Sequence, residues 1–265
     1  MRISIEGGGK VVRSAAISGR HEITNSMRST PSIGPDIERG KPVSSGPNHG
    51  HENCPPEGSF RHPSLRWKRV RKSLKSLRDP AEFTKCQRAL EALQKQEEQG
   101  KIDLYYFDES GFTLDPYIPY AWQEPGTVIE LPATKGTRIN LLGLMNRKND
   151  LHPYMFEQSI NTAVVVACLN DFCTNITKKT IVVMDNSSIH RSEEFEEYIP
   201  LWKKKGLMIK YLIPYAPELN LIEILWRHIK YFWLPFSAYQ CMEALREALE
   251  QILKDFGSKY QITFA

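Results

Sequence analysis

The chain has 265 residues, 41% of them hydrophobic and 25% charged, with a formal net charge of +4; this suits one large domain, or one domain with an appendage. The longest apolar run, Ala163 to Leu169, is far short of the roughly 20 residues that cross a bilayer, and no apolar stretch follows the first basic residues as in a secretory signal. Five cysteines, an odd number without paired spacing, read as reduced thiols of a cytosolic protein and not as a disulfide framework.

Composition breaks near residue 60. Residues 1–60 hold nine Gly, six Pro and nine Ser, but only one aromatic, Phe60. A stretch so poor in large apolar groups cannot offset the entropy of ordering its backbone, so residues 1–60 are expected to be disordered. Residues 61–100 read as a basic helical linker. Arg61, Arg66, Lys68, Arg69, Arg71, Lys72, Lys75 and Arg78 place eight positive charges in 18 residues with no acid among them. Trp67, Val70, Leu74 and Leu77 interleave at helical spacing. Such a face can lie along phosphates and release counterions; a solvated helix face or a weak membrane-surface helix shows the same pattern. A second helix follows, with Asp79 as its cap, Pro80 in the first turn, Glu82 in a capping box and Gly100 as its stop.

From Lys101 the pattern predicts a strand over Ile102–Phe107, a hairpin-bearing segment over Tyr117–Glu130 and a strand over Ile139–Met145. Then come a helix at Asn161–Thr174, a buried strand at Thr180–Met184, a helix at Ser192–Lys205, a strand at Met208–Ile213 and a helix at Leu221–Trp233. In Ser192–Lys205 the acids lead and the lysines trail, which suits the helix dipole. Strands first, then alternation, predict an α/β fold with a mixed sheet and helices on both faces.

Two carboxylates stand at expected strand ends. Asp108 closes Tyr105-Tyr106-Phe107, and Asp185 closes Ile181-Val182-Val183-Met184. Sites in open α/β sheets lie just past the carboxyl ends of strands; a turn Asp that caps the next element is the alternative. Glu223 sits at the start of the Leu221–Trp233 helix, with Arg227 and Lys230 on its face. Capping-box spacing from Asn220 and a surface pair with Arg227, worth about 0.3–0.5 kcal/mol, are its bland readings.

Phe107-Asp108-Glu109-Ser110-Gly111-Phe112, Val183-Met184-Asp185-Asn186-Ser187-Ser188-Ile189-His190-Arg191 and Pro214-Tyr215-Ala216-Pro217-Glu218-Leu219-Asn220-Leu221-Ile222-Glu223 together resemble the three catalytic blocks of DDE transposases. The branch is the mariner-related superfamily in its bacterial insertion-sequence form. Thirty-seven residues separate Asp185 from Glu223, close to that family's short second spacing. The resemblance covers roughly Leu65 to Trp233 and implies a ribonuclease-H-like catalytic domain over residues 101–240, with residues 241–265 as a C-terminal helix and tail.

It implies Asp108, Asp185 and Glu223 as catalytic residues and metal ligands. Three carboxylates in one cleft repel one another unless cations occupy it, and hard oxygen ligands favour Mg²⁺, with Mn²⁺ as substitute. Two ions about 3.5–4 Å apart then serve in-line displacement at phosphorus. The implied partners are double-stranded DNA (the element's terminal inverted repeats and target DNA) and a second copy in a homodimer, in the bacterial cytoplasm at the nucleoid, with no membrane. Expected DNA contacts are Arg66, Lys68, Arg69, Arg71, Lys72, Lys75, His190, Arg191, Arg227 and Lys230, although helix-start roles suit His190 and Arg191 equally. Asn186 is expected to orient Asp185 or a metal-bound water, or to serve the turn. Glu109 should point away from Asp108 by strand alternation.

The family carries two helix-turn-helix modules before its catalytic domain. Here Leu65–Leu74 resembles only the last helix of the second module and its linker, and residues 1–60 resemble neither. The expectation is a truncated or frame-shifted reading frame with weakened recognition of element ends. A remnant that only binds DNA or dimerises, or a ribonuclease-H-like nuclease, are the alternative functions.

Overall fold

Five apolar runs assemble into one sheet in the computed structural model, which describes residues 3–6, 10–13, 75–118, 123–131 and 136–264. These belong to one of two compact units, made of residues 1–16 and 73–265; the other spans residues 17–72. Strands β1 (Ile3–Glu6) and β2 (Lys10–Arg13) pair antiparallel, within the stretch whose composition predicts disorder. The alternation Ile3-Ser4-Ile5-Glu6 before three glycines is a local hairpin pattern that an average over the first 60 residues conceals. The expected DNA contacts Arg66, Lys68, Arg69, Arg71 and Lys72 lie outside the described residues.

Helix α1 (Pro80–Glu98) starts where expected: the Asp79 carboxylate accepts from the Ala81 and Glu82 amides at 2.8 and 3.4 Å. Gly100, at φ 71°, turns the chain into β3 (Asp103–Phe112). Strands β4 (Ile139–Met145) and β5 (Leu151–Phe156) follow as an antiparallel meander. Among the described residues of 117–130 no strand forms, and Pro125 and Gly126 lie in a turn; residues 119–122 of the expected hairpin-bearing segment lie outside the described residues. Strand β5 was hidden from the sequence by Pro153. It lies at the sheet edge, pairing with β4 alone within the sheet, where a residue without an N–H is tolerated.

Helix α2 (Thr162–Cys173) leads to β6 (Thr180–Met184), and α3 (Glu193–Lys204) to β7 (Leu207–Tyr211). Asn161 and Ser192 cap the two helices through their side chains. Helix α4 (Ile222–His228) widens into a π turn over Ile229–Trp233, and α5 (Met242–Asp255) closes the C-terminal region.

The sheet order is β5-β4-β3-β6-β7. The β3–β6 and β6–β7 pairs are parallel and the other two antiparallel, so the predicted mixed sheet is present. Each face has its own core. Leu104, Tyr106, Phe112, Ile139 and Leu141 pack with Ile222, Leu225 and Trp226 of α4 and Leu245 and Leu249 of α5. Tyr105, Phe107, Leu142 and Leu144 pack on the opposite side with α2 and with Phe195 and Trp202 of α3. Each fully buried Leu, Ile or Phe contributes about 1.5–3 kcal/mol. Alternation along β3 therefore sends Asp108 toward α4 and Glu109 toward α3.

Candidate active site

Asp108 does not close its strand. Strand β3 continues to Phe112 because its antiparallel ladder with β4 runs on through Asp108↔Gly143 to Phe112↔Ile139. The parallel ladder with β6 stops earlier, at Tyr106↔Val183. Asp108 thus stands just past the end of its parallel neighbour, beside the loop in which Asp185 follows Met184. It is a strand-end residue toward β6 and a mid-strand residue toward β4.

Glu223 comes from α4, and two features seat that helix on the sheet. Gly143, opposite Asp108, offers no side chain: a Cβ there would lie 3.1 Å from both Ile222 Cδ1 and Trp226 Cη2. The indole Nε1–H of Trp226 donates to Asp108 Oδ2 at 3.1 Å. Asn220 supplies another tie. Its Nδ2 donates to the Phe107 carbonyl at 2.9 Å, where the capping-box reading had placed it on its own helix. The alternative Glu223–Arg227 pair is absent from the ion pairs of the described residues; the Glu223 carboxylate faces the cleft.

Asp108, Asp185, Asn186, Asn220 and Glu223 wall one cleft of about 260 Å³, closed on its far side by Leu212 and the Pro214–Pro217 turn. Tyr215 in that turn is held at φ 61°, a left-handed conformation uncommon for a residue with a side chain. Burial, then repulsion from Glu223 and Glu109, hold the Asp108 carboxyl well above the usual range. Desolvation also raises Glu223, against the pull of the Lys230 ammonium. Asp185 goes the other way: hydrogen bonding from His190 lowers it.

Among the described residues, no three His, Cys, Asp or Glu side chains stand close enough together to hold a metal ion. The acids border a common space but do not converge on one point.

The expected DNA contacts divide. His190 is not available to a phosphate, because its ring is buried between Phe107 and Phe195 at 5.4 and 5.9 Å. Its Nδ1 lies 2.7 Å from Asp185 Oδ1 and its Nε2 3.0 Å from Glu109 Oε1. Burial opposes charge on the ring, but the bonds to Asp185 and Glu109 outweigh it and push the imidazole up to about 9. Arg191 donates to Asn186 Oδ1 at 3.1 Å, pairs with Glu196 at 3.7 Å and lies over Tyr211. Asn186 is thereby held by its neighbour. Lys230 points its ammonium at the rings of Phe112 and Tyr117, 5.2 and 4.9 Å away. Arg227 is exposed beside Glu218 and Glu223. Lys75 is bonded at 3.3 Å to Glu218, which Arg78 also engages.

Reading the sequence missed Trp226, Asn220 and Glu109 as parts of the site. Trp226 is a buried aromatic of the helical stripe of α4, and its indole N–H finds a polar partner only in the folded chain; Asn220 and Glu109 lie inside the quoted blocks, and only their contacts reveal what they hold.

A mixed five-stranded sheet flanked by helices, with a carboxylate cleft just past the ends of its parallel strands, is an architecture of ribonuclease-H-like fold. The model of the DDE superfamily endonuclease family matches residues 103–246, more than half of the chain, and the chain belongs to that family. Among solved structures, the Mos1 transposase paired-end complex with left transposon end is similar at TM-score 0.50 and 14% identity, over 75% of this chain and 60% of that one. The Mos1 mariner paired-end complex with Mn gives 0.49 and 14%, over 72% and 58%. The catalytic core domain of BIV integrase gives 0.38 and 18%, over 60% and 86%. The chain thus spans about 60% of the length of the Mos1 transposase it matches. No curated protein matches it. Among the described residues no helix is long and apolar enough to cross a membrane.

Proposed function

We propose that this chain is the catalytic part of a DNA transposase of the mariner-related superfamily, cleaving a phosphodiester bond and transferring the freed strand to target DNA. The observation that carries the reading is that Asp108, Asp185 and Glu223, from a strand, a loop and a helix, line one cleft. Burial pushes Asp108 and Glu223 toward the neutral form, with repulsion from Glu223 adding to the first and repulsion from Asp185 to the second.

The donor set suits a divalent cation. Every acid in the cleft offers only oxygen, and Asn220 Oδ1 is buried there with no hydrogen-bond partner. Asp108, Asp185 and Glu223 are the residues that would hold Mg²⁺, or Mn²⁺ in its place. When bound, the metal stabilises charge on the attacking and leaving oxygens of an in-line displacement. The chain's own groups supply orientation. Trp226 fixes Asp108 by its Oδ2, His190 fixes Asp185 by its Oδ1, and Arg191 fixes Asn186. No side chain in the cleft is needed as a nucleophile: water serves cleavage, and a 3′-hydroxyl serves transfer.

The substrates on this reading are double-stranded DNA carrying the element's terminal inverted repeats, and target DNA, with two copies of the chain acting together at the bacterial nucleoid. Arg227 at the cleft rim, and the basic run from Arg66 to Lys75, supply phosphate contacts that give affinity without sequence readout.

Strand joining tests the proposal. The full chain is incubated with Mg²⁺, a duplex ending in the repeats that flank its coding sequence, and a second duplex as target. Nicking at the repeat end followed by covalent joining is expected. Nicking without joining leaves a nuclease and refutes the transposase reading; neither reaction refutes the enzyme.

A further inference from the structure

Asp108 and Glu109 are consecutive on β3 and point to opposite faces of the sheet. The cleft uses the first. The second reaches His190, whose ring connects it to Asp185. A three-residue chain thus runs beneath the cleft, from one strand that carries a cleft acid to the loop that carries another.

Its parts differ sharply in environment. The Asp185 side chain is 52% exposed on a loop, whereas the His190 side chain is 1% exposed. An exposed aspartate on a loop is free to turn about its own bonds. Here Oδ1 is taken from below by His190 Nδ1 and from the side by the Ser187 amide at 3.3 Å. The ring has no freedom to release it. Phe107 and Phe195 flank it, Glu109 holds its far nitrogen, and the Tyr211 hydroxyl bonds the His190 carbonyl at 2.7 Å.

We propose that Glu109 and His190 are positioning residues that act through Asp185, anchoring its Oδ1 so that Oδ2 is presented to the cleft in one orientation. The inference rests on the reading of Asp185 as a metal ligand. It adds that the acid following Asp108 serves the site from the opposite side of the sheet. Groups that orient a ligand in this way typically govern roughly 10–100-fold in metal affinity.

The test is Mn²⁺ binding to the full chain without DNA, followed by electron paramagnetic resonance, in the wild type, Glu109→Ala, Glu109→Gln and Asp185→Asn. Glu109 is the better target because its side chain is 23% exposed and its removal leaves the core filled. Glu109→Ala is expected to weaken Mn²⁺ binding roughly 10-fold or more. Glu109→Gln, whose amide oxygen still accepts from His190, is expected to restore most of the loss. In the Asp185→Asn background, Glu109→Ala should add nothing. His190→Asn, which keeps a donor near Nδ1, serves as a second variant and should bind Mn²⁺ better than His190→Ala. Wild-type affinity in Glu109→Ala, with binding lost in Asp185→Asn, overturns the positioning role alone. Wild-type affinity in Asp185→Asn overturns the ligand reading beneath it.

Discussion

Trp226 donates its indole N–H to Asp108 Oδ2 at 3.1 Å. The same turn of α4 therefore delivers Glu223 to the cleft and holds the acid opposite. Trp226→Phe keeps most of the packing and removes the donor. It is expected to cost about 1 kcal/mol of stability, read by urea unfolding. DNA nicking is expected to fall by roughly tenfold, equivalent to about 1.4 kcal/mol. Nicking at the wild-type rate would show that the bond does not orient Asp108.

Gly143 sets how closely that helix approaches. A methyl group there meets Ile222 and Trp226 at 3.1 Å, closer than ordinary contact. Gly143→Ala is expected to displace α4 and destabilise the fold by about 1–3 kcal/mol, with nicking reduced further than the loss of folded protein explains. A shift in urea midpoint with unchanged specific activity would mean that the cleft does not depend on the helix seat.

Glu218, in the turn before α4, is engaged by both Lys75 and Arg78. Glu218→Gln removes the carboxylate that holds these cations to the cleft wall. Binding to nonspecific duplex should tighten, and the slope of log affinity against log salt should steepen by about 1–2. Glu197→Gln, an exposed acid of α3, controls for net charge alone. An equal response of the two variants would show that neither Lys75 nor Arg78 is turned toward DNA by the change.

Thiol reactivity should follow burial. Burial pushes the Cys173 thiol up to about 11 and Cys168 higher still. The thiolate is the nucleophile, and a pKa raised to that level leaves only about a thousandth of Cys173 ionised at pH 8. Cys241 is exposed. Iodoacetamide at pH 8, with peptide mass spectrometry, is expected to label Cys241 within minutes and to spare Cys168 and Cys173 until the chain is unfolded. Raising the pH toward 9 should leave Cys168 and Cys173 nearly inert. Early labelling of Cys173 would mean that α2 opens readily from the sheet.

Most of the fold was legible because its elements carry local signals. Asn161 and Ser192 cap helices that begin one residue later, and the β-branched run Thr180–Met184 forms a strand of those bounds. What escaped depends on partners remote in sequence. Strand β5 reads poorly because Pro153 is tolerated only at an edge, and which strand is an edge is a property of the assembled sheet. The length of β3 was set by β4, whose pairing carries it five residues past Phe107. In the site, the three acids could be recognised by motif. The groups that hold them could not, since the Trp226–Asp108 and Asn220–Phe107 bonds span more than a hundred residues. His190 misled for the same reason: beside Arg191 it reads as a basic surface pair, and only packing against Phe107 and Phe195 removes it from the surface.

Asp108, Asp185 and Glu223 are proposed to form one metal-dependent cleaving site. The most direct test compares the initial rate of duplex nicking by the wild type with Asp108→Asn, Asp185→Asn and Glu223→Gln, each with Mg²⁺ and with EDTA. The three variants are expected to lose at least about a thousandfold, with no further loss when two are combined, because groups that act as a unit are not additive. EDTA should silence the wild type. Nicking within tenfold of wild type by any folded single variant, or nicking that survives chelation, would contradict the account.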